Sequence, residues 1–75
     1  MARYFFHYWE DHARAGDPVG ADLSNAYDAF IKAFETAQCL SAGLSAEQAQ
    51  GRRIEVVDAG GRVMFDLCFL ETLRR

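Results

Sequence analysis

Hydrophobic and polar positions change period three times along the chain, and each change marks a different element. Residues 3–9, Arg-Tyr-Phe-Phe-His-Tyr-Trp, hold five of the ten aromatic side chains, and aromatics favour the pleated surface of a strand. Strand alternation puts Tyr4, Phe6 and Tyr8 on one face and Arg3, Phe5, His7 and Trp9 on the other. Both faces therefore carry apolar bulk. One must pack on a helix, and the other is left exposed or covered by a second copy of the chain.

Residues 10–21 have no sustained period and contain Gly16, Pro18 and Gly20, so they read as a loop with at most a short extended piece near Val19. From Asp22 the spacing becomes three and four: Leu23, Ala26, Tyr27, Phe30, Ala33, Phe34, Ala37, Leu40 and Leu44 form one stripe. This predicts a helix over about 23–41, capped by Asp22, with Ser24, Asp28, Lys32, Glu35 and Thr36 on the polar side. Gly43 supplies the stop, and Ser45 caps one more turn over 45–50.

The last third alternates again. Residues 53–57 and 63–67 flank Asp58-Ala59-Gly60-Gly61, a turn of residues that tolerate positive φ, and predict a hairpin. Its register stays open between two solutions. A two-residue Gly60-Gly61 loop aligns Ile54, Val56, Val63, Phe65 and Leu67 on one face but sets Glu55 opposite Asp66, a like-charge pair costing a few tenths of a kcal/mol or so. A three-residue loop with Gly61 left-handed removes that clash and places Asp66 beside Ile54. Phe69, Leu70 and Leu73 close the chain as a short helical turn or tail, with Arg74-Arg75 suited to a helix C-terminus.

The order strand, loop, helix, strand, strand makes residues 1–75 a single small α+β domain, with one amphipathic helix on one face of a small antiparallel sheet. Its aromatic strand is expected at the centre or at a dimer seam. Composition narrows function by exclusion. The chain of 75 residues is 51% hydrophobic and 25% charged, which fits neither disorder nor a rod. A core this small rarely supplies more than about 3–5 kcal/mol, which makes a homo-oligomer, a dimer or a complex with another protein the expected state. No apolar run approaches a membrane span, no secretory signal precedes the acids Glu10 and Asp11, and two cysteines make no disulfide framework. The expectation is a cytoplasmic protein with reduced thiols and no membrane partner.

Candidate chemistry is sparse. His7, Glu10, Asp11 and His12 cluster locally, but a five-residue spacing across a strand end is not that of a zinc site, so neither metal nor cofactor is expected. His7 and His12 remain possible functional polar groups. Cys39 projects from the polar side of the helix and would be reactive only with a cation beside it, whereas Cys68 follows an apolar strand as a small core residue. No nucleophile, base and orienting group stand in a recognisable pattern, so no catalytic residue is assigned and a non-enzymatic role is expected. Tyr4, Phe6, Tyr8, Trp9 and Arg53 form the candidate interaction surface. Aromatics beside Arg3, Arg52 and Arg53 could also stack nucleic-acid bases, but a net charge of −3 argues against phosphate binding.

The opening Arg3-Tyr4-Phe5-Phe6-His7 resembles a family of small bacterial proteins, a domain of unknown function whose members commonly open with Pro-Arg-Tyr-Phe-Phe-His. The resemblance continues through Asp17-Pro18-Val19-Gly20, Asp22-Leu23, Ala26, the run from Gly51 to Asp58, and Gly61-Arg62-Val63. Ala2 stands in place of the usual Pro, and Tyr8 to His12 is more aromatic than the usual charged turn. The resemblance implies no reaction, ligand or catalytic residue.

Overall fold

The structure is a computed structural model that describes residues 1–73. The sequence expectation for Arg74 and Arg75 lies outside the described residues. β1 (Ala2–Glu10) is followed by β2 (Ala13–Ala15), β3 (Ala21–Leu23), α1 (Ala26–Ser41), α2 (Ala46–Gln50), β4 (Arg52–Asp58), β5 (Val63–Cys68) and α3 (Phe69–Leu73). The strands form one antiparallel sheet in the order β2-β1-β4-β5, with β3 pairing β1 beside β2. This is the expected α+β fold with the aromatic strand central, and it is richer by two strands.

Those two strands correct the reading of residues 10–21 as a loop. Ala-Arg-Ala and Ala-Asp-Leu carry no period of their own; they are strands because β1 offers them a backbone edge, with Trp9 opposite Arg14 and Arg3 opposite Asp22. The helix start is corrected with them. Asp22 is taken by Arg3 in a 3.0 Å ion pair, and the cap is Asn25, whose side chain accepts a hydrogen bond from the Asp28 amide at 2.9 Å. Downstream, α2 opens as expected on Ser45, in a capping box with Gln48.

The hairpin combines both registers that the sequence left open. Its loop has three residues with Gly61 at φ 87°, and the Asp58 amide bonds to the Arg62 carbonyl. A bulge then shifts the pairing between Val56 and Val57, so that Ile54 faces Leu67, Glu55 faces Asp66 and Val56 faces Phe65. The extra residue lets the turn keep its preferred geometry while the apolar face stays aligned.

The core lies between the sheet and the helices. Ile54 and Val56 from β4, Leu67 from β5, Tyr4 from β1 and Phe69 from α3 are buried with Ala29, Ala33, Ala37 and Ala49. α1 crosses β4 and β5 on methyl groups, a contact that lets the two backbones approach closely. At its end Ser41 and Thr72 share a buried hydroxyl contact of 3.4 Å, each also donating to a carbonyl of its own helix. No described helix is long and apolar enough to cross a membrane.

Candidate functional site

The β1–β4 register decides which aromatic side chains reach a surface. Tyr4 pairs with Asp58, Phe6 with Val56 and Tyr8 with Ile54, so all three stand on the helix side. Tyr4 is buried and Phe6 and Tyr8 pack on the core, Tyr8 with its ring 5.7 Å from that of Phe69. These three candidates therefore build the core side of the sheet. Trp9 and Arg53 lie opposite each other on the other face, with Phe5, His7, Glu55 and Val57.

On that open face the like-charge pair is dissolved by its neighbours. Arg53 binds both oxygens of Asp66 at 2.9 Å and lies over the Trp9 ring, 4.5 Å from its centre. The Trp9 indole N–H points to Glu55 at 3.4 Å. Each carboxylate thus has its own donor.

Next to Trp9, His7 organises the segment between β2 and β3. The Asp17 amide donates to His7 Nδ1 at 3.0 Å, which leaves the ring proton of the neutral imidazole on Nε2. In return the Asp17 carboxylate accepts from the amides of Phe6, Val19 and Gly20, each at 3.1 Å. It fills the stretch of β1 edge that neither β2 nor β3 covers. The Gly20 amide, with help from those of Phe6 and Val19, holds the Asp17 carboxyl below the usual aspartate range against a smaller opposing effect of burial. Gly20 is needed where it sits, at φ 75°, because a Cβ there would lie 2.8 Å from the Tyr4 carbonyl and 2.9 Å from the Phe5 ring.

The other two candidates stand apart. His12 is exposed at the β1–β2 turn, after Asp11 at φ 56°, and Cys39 is exposed on α1. Cys68 is half-buried, its thiol 3.6 and 3.7 Å from the carbonyls of Gln50 and Ala49. No three His, Cys, Asp or Glu side chains gather into a metal-sized group among the described residues.

A second surface was missed by sequence reading. The single stripe drawn along α1 is two: Ala29, Ala33, Ala37 and Ser41 face the core, while Tyr27, Phe30, Ile31 and Phe34 run along the flank. Tyr27 is 69% exposed and Leu40 52%, which corrects their placement on the buried stripe. Phe30 packs edge-on against Phe65 of β5, with centroids 5.5 Å apart, and lies 6.1 Å from Phe34. With Leu67 and Glu71 these rings line a concavity of about 370 Å³ beside β5, whose outer backbone edge pairs with no described strand. The available signal was an excess: α1 carries more large apolar residues than one face of a helix holds.

Comparison with known proteins adds a family and no activity. No curated protein and no solved structure matches the chain significantly. A family model described as a domain of unknown function, DUF6894, matches residues 3–70, which take in all of the sheet but Ala2, with α1, α2 and the start of α3; the chain belongs to that family.

Proposed function

We propose that this protein is a non-catalytic, cytoplasmic interaction module that associates with a second copy of itself through the flank of α1 and the outer edge of β5. The observation that carries the reading is the aromatic flank: Tyr27, Phe30, Ile31 and Phe34 lie beside Phe65 and a strand edge that pairs with no described strand, the Cys68 amide alone being taken by Glu71. A second copy suits this edge on charge. The single charged residue of β5 is Asp66, already neutralised by Arg53, so two β5 strands pair antiparallel about a two-fold axis without like charges meeting. The small core supports the same reading, since association adds buried apolar area that one chain lacks.

The open face is the weaker candidate for a nucleic acid. Arg3, Arg52 and Arg53 each bind a carboxylate, of Asp22, Glu10 and Asp66 respectively, which leaves little of their charge for phosphates. Sedimentation equilibrium of the wild type and of Ile31→Glu tests the proposal. Ile31 is 36% exposed, so the new carboxylate is tolerated in the single chain but sits in the middle of the flank. The wild type is expected to dimerise at micromolar concentration and the variant to bind itself at least about tenfold more weakly. A wild type that stays monomeric over that range overturns the proposal.

A further inference from the structure

Five of the described residues are arginines, and four of them, Arg3, Arg52, Arg53 and Arg62, hold carboxylates within 4 Å. Arg14 has no carboxylate partner among the described residues, although the chain has more acids than bases. Its strand pairing places it opposite Trp9, hence on the open face with His7, one alternation further along β1. The two side chains line one concavity of about 320 Å³ with Gly16, Asp17 and Pro18.

We infer that Arg14 and His7 form a binding site for a small molecule bearing a carboxylate. The concavity is built before any ligand arrives. Asp17 fastens its wall through the three amides it accepts from and the one it donates to His7. The last of these bonds also fixes the imidazole: with Nδ1 occupied, Nε2–H is the donor that the neutral ring has left. The guanidinium lies along the loop at Gly16, where a Cβ would stand 3.3 Å from Nη2, 3.8 Å from Nε and 3.9 Å from Cζ. Gly16 has no positive φ, and the nearest atoms a Cβ there would meet are those of this guanidinium.

Charge selects the ligand class. Arg14 contributes one positive charge and His7, with Nδ1 accepting from Asp17, one N–H, while the Asp17 carboxylate lines the same concavity and Glu55 stands across the strand from His7. A monoanionic carboxylate matches one guanidinium fork and one N–H, and Pro18 offers apolar surface to the rest of the molecule. A phosphate dianion would add a second charge beside two carboxylates with no further cation to meet it. The site lies at the opposite edge of the sheet from β5, so the inference stands or falls independently of self-association.

The test is an NMR titration of the full chain at neutral pH with sodium acetate, compared with sodium chloride and sodium phosphate at equal ionic strength. Acetate is expected to shift the Gly16 and Asp17 amides and the Arg14 Nε–H saturably, with a millimolar midpoint, and chloride to leave them in place. Arg14→Gln is expected to weaken acetate binding at least about tenfold. Gly16→Ala, which leaves the backbone unstrained but pushes the guanidinium aside, is expected to weaken it with the remaining spectrum unchanged. Equal shifts in chloride, wild-type affinity in Arg14→Gln, or tighter binding of phosphate than of acetate would each overturn the inference.

Discussion

Replacing Phe69 by alanine is expected to remove cooperative folding of the chain at 25 °C. Phe69 is fully buried, stacks at a tilt on Tyr8 and joins α3 to the centre of the sheet. Truncating a buried Phe costs about 3–5 kcal/mol through lost transfer energy and the cavity left behind. A core of this size supplies about the same amount in total. A urea titration followed by circular dichroism, at one fixed protein concentration because association adds stability, reads the loss. Phe69→Leu keeps most of the volume and is expected to cost about 1.5 kcal/mol or less. A cooperative transition in Phe69→Ala with a midpoint close to the wild type would contradict this placement of the core.

The second large effect is expected at Asp17. Asp17→Ala leaves the amides of Phe6, Val19 and Gly20 without their acceptor, and a loss of about 2–3 kcal/mol follows from three charge-assisted bonds at a half-buried site. The same bonds give stability a defined acid limb. The Asp17 pKa is lowered on folding, so its stabilising contribution is complete above the ordinary aspartate range. It is lost as pH falls from that range through the lowered folded-state value. Asp58 contributes in the same direction, its carboxyl held down first by the Arg62 amide and then by the Gly60 amide and the Arg62 charge. Asp17→Asn, which keeps an acceptor without a titrating charge, is therefore expected to flatten part of the acid limb. Urea midpoints measured at neutral pH and at several acid values check this; an unchanged slope in Asp17→Asn would refute the role assigned to the carboxylate.

Where the sequence could be read correctly, the determinants were local. The aromatic run of β1, the Ser45–Gln48 capping box and the glycine-rich turn before β5 each carry their structure in a few adjacent residues. The errors fall where a distant partner decides. β2 and β3 exist only against β1, and Asp22 was a fair cap by type but lies within reach of Arg3. Along α1, large side chains outweighed small ones in the periodicity, whereas the closest contact with the sheet is made by Ala29, Ala33 and Ala37. That inversion hid the flank on which Tyr27 and Ile31 are exposed and Phe30 and Phe34 half-buried. The face of the aromatic run was hidden for another reason: Tyr4, Phe6 and Tyr8 are on the core side because β4 pairs them with Asp58, Val56 and Ile54, a register no single strand encodes. Of the candidate polar residues, His7 acquired a partner ten positions on, Asp17, through a loop that showed no pattern at all.

The sheet therefore has one edge closed by its own chain, through β2, β3 and the Asp17 carboxylate, and one edge open at β5. Amide hydrogen exchange at low and high protein concentration tests whether that open edge is the site of self-association. The β5 amides that do not bond β4, apart from that of Cys68, which donates to Glu71 Oε1, are predicted to exchange slowly in concentrated protein and to lose that protection on dilution, while β2 and β3 amides keep a constant rate. Exchange of those β5 amides that is fast and independent of concentration would contradict association at this edge.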